Sequence, residues 1–313
     1  MPTYNLNSGY GQVVGQWPYL GTGKVFVVGK SGLANRDIVS ELMKVDPEGK
    51  ARFFSTIDAA VGACIHDAND IIYVLPGHTE TITATATLTL DVRGVSIVGL
   101  GHGKMRPQIL IDAAATNEIA VSADDVTVKN MIFLAGHADI QTCFEVGAAK
   151  QFTVEDCDFL DNTSGENFLV AIRTNTTANA ADGLTVRNCT FITPDTASLY
   201  FVHFQADCDR VTIEDCYVNM GVNTNDYAVI TCATGKDLTN ARILRNEFVR
   251  LNDANALIVS SDTTANSGIV AFNLMGHADT ASENLVDLTG CREFENYGTA
   301  VNDKQGYLVD ADS

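Results

Sequence analysis

Short stretches that alternate apolar and polar residues recur along this chain, and each ends at an Asn or Asp. Val126-Thr127-Val128-Lys129-Asn130 is followed by Phe152-Thr153-Val154-Glu155-Asp156, Leu184-Thr185-Val186-Arg187-Asn188 and Val211-Thr212-Ile213-Glu214-Asp215. Alternation with period two predicts a strand with one buried face, and the Asx residue predicts a turn. Weaker copies begin at Val95, Ala241 and Gly268, so seven starts stand 31, 26, 32, 27, 30 and 27 residues apart. Between copies lies a second β-rich run: Cys143 to Val146, Phe168 to Ile172, Leu199 to Phe204, Tyr227 to Thr231 and Ala256 to Val259. No helical periodicity of comparable length separates them. A period of roughly 20–50 residues that supplies two short strands per repeat predicts a solenoid of parallel strands, and disfavours a βαβ barrel or doubly wound sheet.

Stacking the copies at a strand spacing of roughly 4.8 Å turns equivalent positions into columns. The fourth position reads Lys129, Glu155, Arg187, Glu214. Alternating signs favour one register, although each exposed pair contributes only about 0–1 kcal/mol. The fifth position, Asn130, Asp156, Asn188 and Asp215, predicts a ladder of Asx side chains bridging turn backbones. The sixth, Cys157, Cys189 and Cys216, predicts small, reduced packing residues.

The open end of a solenoid exposes apolar side chains and unpaired backbone, so it needs a cap. Ser55-Thr56-Ile57-Asp58 has the form of a capping box ahead of a short amphipathic helix, Ala59 to Ile65. A second helix is expected from about Asn35 to Val45, stopping before Asp46-Pro47-Glu48-Gly49. The expected division is an N-terminal arm and anchoring segment over 1–50 and a β-helix domain over 51–313.

Composition narrows the function classes. Of 313 residues, 46% are apolar and 19% charged, the balance of a chain that forms a core. A net charge of −19 has the wrong sign for holding nucleic acid or an anionic membrane, so neither is an expected partner. The longest apolar runs, such as Asp70 to Leu75, are too short to cross a bilayer. Met1 to Gly23 shows neither a basic nor an apolar signal region, so synthesis in the cytoplasm is expected. The eight cysteines include no Cys-x-x-Cys pair, which argues for free thiols and against structural zinc.

Phe54-Ser55-Thr56-Ile57-Asp58-Ala59-Ala60, the run Asp70 to Glu80 and Val95-Ser96-Ile97-Val98-Gly99-Leu100-Gly101 resemble the opening of pectin-lyase-like proteins. The resemblance covers roughly residues 50–300. It implies an all-β fold: a right-handed, single-stranded parallel β-helix, here with a short N-terminal capping helix and an extended N-terminal arm. Gly21-Thr22-Gly23-Lys24-Val25-Phe26 also resembles a segment of β-helix proteins encoded among the head genes of tailed bacteriophages. That resemblance implies a virion protein, most simply a decoration protein on the capsid surface. Its partners would be the major capsid protein and its own copies as a homotrimer.

Enzymes of the superfamily are calcium-dependent lyases that use an Arg as base, or glycosidases that use clustered carboxylates. A polygalacturonase-like set would run Asn-x-Asp, Asp-Asp, Gly-His-Gly, Arg-Ile-Lys. Here Gly101-His102-Gly103 precedes Asp124-Asp125, Arg242-Ile243-Leu244 lacks the lysine, and Arg106-Pro107 stands without a lyase motif. The carboxylate pairs Asp156 with Asp158 and Glu214 with Asp215 belong to the repeat itself. Gly136-His137-Ala138-Asp139, echoed at Gly276-His277-Ala278-Asp279, offers two ligand types where a metal needs more. Tyr200, Tyr217 and Tyr227 are weak candidates for sugar platforms. No catalytic residue, cofactor or metal is therefore assigned. The alternatives to a structural role are a tailspike-like polysaccharide depolymerase, with carboxylates assembled across rungs, and a non-catalytic receptor-binding β-helix.

The arm from Met1 to about Leu20 carries no charged side chain. Tyr4, Tyr10, Trp17, Tyr19 and Leu20 are its expected interface anchors, since aromatic side chains best offset the entropy of ordering such a segment. The competing expectation is that Val13, Val14, Trp17 and Leu20 cover the end of the solenoid.

Overall fold

Each repeat opens with a short strand because left-handed corners bracket it. Ahead of the strands, Asp125, Gln151, Gly183, Arg210 and Asn240 have φ between 53° and 77°. Behind them, Asn130, Asp156, Asn188, Asp215, Arg245, Phe272 and Glu295 have φ between 50° and 60°. Asn and Asp tolerate this conformation best among residues with a side chain, which explains their recurrence at the fifth position. A computed structural model describes residues 23–33, 45, 49–84, 87–163, 165–194, 197–221, 228–250, 256–260, 266–277, 285–300 and 307–308.

Three sheets run the length of the solenoid, with eleven, ten and eight strands. In the first sheet Val128, Val154, Val186, Ile213, Ile243 and Val270 lie in parallel register and point inward. A two-residue corner leads to the second sheet, where Ile109, Phe133, Phe159, Phe191, Val218, Phe248 and Met275 align. A longer loop then leads to the third sheet, with Ile119, Phe144, Ile172, Val202, Ile230, Ile258 and Val286 in line. Successive rungs pair in parallel throughout, giving about eight turns of a right-handed parallel β-helix. Among the described residues, Tyr307–Leu308 pairs antiparallel with Tyr297–Ala300.

The inward columns meet in one axial core. Phe133 stacks on Phe159 at 5.4 Å between ring centroids, and Phe191 on Phe201 at 5.9 Å. Phe144 meets Phe133, Phe152 and Phe159 edge-on. Each fully buried phenylalanine contributes about 1.5–3 kcal/mol by leaving water. The core also holds a fully buried cation, Arg250, whose Nη1 donates to the carbonyls of Leu199 (2.9 Å) and Ala228 (3.1 Å).

The sixth position continues as Met131, Cys157, Cys189, Cys216, Asn246, Asn273 and Asn296. The thiols of Cys157, Cys189 and Cys216 lie within 3.5–3.8 Å of the third-position carbonyls of the preceding rung, Val128, Val154 and Val186, and closer, at 3.2–3.3 Å, to the carbonyls of Glu155, Arg187 and Glu214 in their own rung. The amides of Asn246, Asn273 and Asn296 donate to the equivalent carbonyls of Ile213, Ile243 and Val270, each at 3.0 Å. Thiol and amide therefore face the same column of carbonyls. The expected Asx ladder at the fifth position is instead chiefly a set of left-handed corners; Asn130 alone among its Asn residues is seen bridging, to the carbonyls of Gly99 and Gly101.

Several boundaries differ from expectation. The N-terminal helix is Ile57–Val61, shorter than expected, and Thr56, not Ser55, caps it by accepting from the Ala59 N–H at 3.3 Å. Gly62 ends it, and the Glu80 carboxylate accepts from the Ile57 N–H at 3.0 Å, fixing its start against a rung. Ile57, Ala60 and Val61 are buried against the first rungs, so the helix does cap the core. Val25–Val28 pairs with Phe53–Phe54 and Ile71–Val74, so the first sheet reaches back across the expected boundary at residue 51. Its alternation is masked by valines on both faces. Residues 35–44, where a second helix is expected, lie outside the described residues, and Val45 forms an antiparallel bridge to Ala51. An eighth copy begins at Cys291, unrecognised in sequence because Glu293 replaces the inward apolar residue.

Candidate functional site

The outer face of the first sheet carries the alternating charges, and the structure joins them. Lys129 Nζ lies 3.0 Å from Glu155 and 3.1 Å from Asp156. Arg187 Nε lies 2.7 Å from Glu214, and Arg245 reaches both Glu214 (3.1 Å) and Asp215 (2.7 Å). The hydrogen bonds from Arg245 hold the Asp215 carboxyl below the usual carboxylate range. Asp158 is paired with Arg106, whose Nη1 also donates to the Asp156 carbonyl at 3.1 Å. Both carboxylate pairs considered for catalysis are thus bound to cations of other rungs, one or two turns away.

Beside this column the second-position threonines, Thr127, Thr153 and Thr185, line an open polar groove of about 410 Å³. Asp125, Gln151 and Arg210 of the corners form its other wall. Hydroxyls, an amide, a carboxylate and a guanidinium converge there, but Arg210 is already paired with Asp209.

The outer face of the third sheet holds a cluster that the sequence did not reveal. Glu145, Arg173 and His203 are register neighbours on successive rungs. Arg173 Nε lies 2.6 Å from Glu145, and its Nη2 lies 3.7 Å from Glu118. Burial, with Glu145 adding to it, pushes the Glu118 carboxyl up, while Arg173 opposes the shift. Burial, then the Arg173 charge, lowers His203 from 6.5 to about 4. The Tyr200 ring lies against His203, 4.7 Å between centroids. The available signal was the outward residue of each second run, Glu145 and His203, with Arg173 just past another.

The remaining sequence candidates do not converge. His137 is half-buried and its Nδ1 lies 2.7 Å from the Ala138 carbonyl, while Asp139 occupies a left-handed turn. Gly101 and Gly103 shape a loop and 3₁₀ turn, and Asp124 accepts from the Lys150 N–H at 2.8 Å. Among the described residues, no group of three or more His, Cys, Asp and Glu side chains is arranged to hold a metal ion. Nor is any described helix long and apolar enough to cross a membrane. Tyr4, Tyr10, Trp17, Tyr19, Leu20, Tyr227 and Asp279 lie outside the described residues.

No family model and no curated protein matches the chain. Among solved structures it is similar to a pectin methylesterase in complex with a hexasaccharide, at 11% identity and a TM-score of 0.40, over 91% of this chain and 92% of that one.

Proposed function

We propose that this chain is a bacteriophage virion structural protein, a decoration protein attached to the outer head surface through its N-terminal segment. The observation that carries this reading is the state of the outward carboxylates: Asp156, Asp158, Glu214 and Asp215 serve the ladder, each tied to a cation of another rung. A stack of parallel rungs with so many outward charges spent on register supports a stiff acidic rod better than a hydrolytic cleft. The Gly21 to Phe26 resemblance supports the virion assignment, and the uncharged, aromatic arm supports docking on the major capsid protein. The test is deletion of residues 1–20. Lost capsid attachment with an unchanged melting temperature is the expected result; a large fall in melting temperature assigns the arm to capping the solenoid instead. A density map of the virion with the chain on the tail would overturn the head assignment.

One observation favours the depolymerase alternative. Glu118, with its carboxyl pushed up, beside Glu145 and Arg173, is a pair of carboxyl groups in unequal environments, the arrangement that separates a general acid from its partner. New reducing ends from a bacterial surface polysaccharide, abolished by Glu118→Gln while the fold survives, would put this reading first.

A further inference from the structure

The N-terminal rungs hold a buried ionisable pair that no expected site includes. His78 is fully buried, and Glu80, in the strand Thr79–Ile82 that follows it, keeps only 8% of its side chain exposed. The Lys30 N–H donates to His78 Nδ1 at 3.0 Å. That nitrogen therefore carries a lone pair, and the ring proton sits on Nε2, 3.3 Å from the Glu80 carboxylate. The same Glu80 oxygen accepts from the Ile57 N–H at the start of the cap helix, at 3.0 Å. One imidazole thus joins two elements: through Nδ1 the exit of the first strand, Val25–Val28, and through Nε2 and Glu80 the cap. The two links respond oppositely to an added proton. Bound at Nδ1, it turns the acceptor into a donor facing the Lys30 N–H, while the resulting imidazolium binds Glu80 more tightly than the neutral ring does.

We propose that His78 is an acid-sensitive latch on the exit of the first strand: the neutral ring holds Lys30, and the protonated ring releases Lys30 to Leu33 while the cap helix stays fixed. The charged groups of the surrounding elements support that direction. Lys30, at the exit of the first strand, turns its ammonium to Thr79 Oγ1. The cap helix carries Asp58, which accepts from the Thr89 N–H at 3.2 Å. The 3₁₀ turn Gly103–Met105, whose Met105 carbonyl accepts from the Gly77 N–H, carries the exposed Lys104, and Arg106 beyond it is paired with Asp158. The adjoining strand Gln108–Ile111 has no charge. Among these, Glu80 is the carboxylate bonded to the ring, so an added proton strengthens the cap link and breaks the other. Opening is confined to the stretch beyond Gly29. The N–H groups of Val27 and Gly29 donate to the Arg52 and Phe54 carbonyls without involving the ring, and the buried Asp70 carboxylate holds the strand's entrance, accepting from the Lys24 N–H at 2.6 Å and the Ile65 N–H at 2.8 Å. Release bares the Gly77 turn, beside which Leu33 lies, so the N-terminal end presents a different surface in acid.

Amide hydrogen exchange of the full chain between pH 7.5 and pH 5.5, expressed as protection factors, reads the latch directly. Lys30 is expected to lose about tenfold in protection across that range, in step with the titration of the His78 ring by NMR, while Gly29 and Ile57 keep theirs. His78→Asn, whose Oδ1 takes the place of Nδ1 and does not titrate, is expected to hold the Lys30 protection level. A loss at Lys30 of the same size in that variant overturns the proposal. If the variant does not fold, the wild-type chain decides by itself. An Nδ1–H tautomer at pH 7.5, Lys30 protection that stays constant to pH 5.5, or a loss at Ile57 equal to that at Lys30 overturns the proposal there. The readout makes no use of capsid binding, so the virion reading stands or falls apart from it.

Discussion

The backbone N–H of Cys216 donates to the Oδ1 of Asn246 at 2.9 Å, and this bond marks the rung where a column of thiols becomes a column of amides. Below it, Asn246 and Asn273 repeat the contact, each N–H donating to the next asparagine's Oδ1. The amide thus satisfies both a donor and a carbonyl of the preceding rung, whereas the thiol supplies only a weak donor. Asn246→Ala is expected to cost about 2–4 kcal/mol, since it leaves the buried Cys216 N–H and Ile213 carbonyl without that partner. Cys189→Ala is expected to cost about 1 kcal/mol through a small packing defect. Urea unfolding of the two variants checks the contrast, and equal losses would remove the distinction between the columns.

All eight cysteines are free. Burial pushes the Cys157 thiol up to about 12 and the Cys189 thiol well above its ordinary value. Neither presents a thiolate near neutral pH, so a thiol reagent is expected to label them only at the rate of unfolding. Half-buried Cys64 and Cys291, raised to about 12 and about 11, should react sooner because the reagent can reach them without global unfolding. Labelling of Cys157 or Cys189 within the mixing time in native buffer would place the column at the surface and contradict its packing role.

The charge ladder lends itself to a reversal experiment. Lys129→Glu sets a third carboxylate beside Glu155 and Asp156, and is expected to destabilise by about 1 kcal/mol at low salt and less at high salt. Glu214→Gln, which leaves Arg187 and Arg245 facing a neutral amide, should cost about the same, because both arginines are close to half exposed and water screens the pair. Thermal melts across a salt series check both; a salt-independent loss would point to packing instead.

The first-sheet strands and their spacing were readable because alternation and the corner residue sit within one short window, as in Val126 to Asn130. The sixth column was only half readable. Cys and Asn look unrelated in sequence, and their equivalence rests on both reaching the third-position carbonyl of the preceding rung. The third-sheet cluster was hidden for a geometric reason: loops of different length separate Glu145, Arg173 and His203, only the parallel register aligns them, and Glu118 joins from outside that register through Arg173. The exposed edge-on pair Phe272 and Phe294 was hidden similarly, since only the register of successive rungs brings the two rings together. The eighth rung escaped because Glu293 breaks the alternation that defines the others.

His203 provides a stability measurement with a defined direction in pH. Its folded value is about 4 against an ordinary 6.5, lowered by burial and then by Arg173, so the fold favours the neutral ring. Between those two values the unfolded chain binds a proton that the folded chain does not. Stability is therefore expected to fall as pH drops from about 6.5 to about 4, with no further contribution from this residue below that. The full shift corresponds to about 3 kcal/mol, and solvent screening at the partly exposed ring brings the expected loss to about 1–2 kcal/mol. His203→Gln removes the titrating group, so its unfolding free energy should change less between pH 7 and pH 4 than that of the wild type. Asp215, whose folded value is depressed by Arg245, contributes lower on the scale and loses its stabilising effect only as pH falls below the ordinary 3.8, whereas Glu118, pushed above its ordinary 4.5 by burial, acts in the opposite direction and is removed from the comparison by a Glu118→Gln background. The two contributions are separable for that reason, and a His203 ring that titrates near 6.5 by NMR in the folded protein would show that neither burial nor Arg173 acts on it as the third-sheet geometry requires.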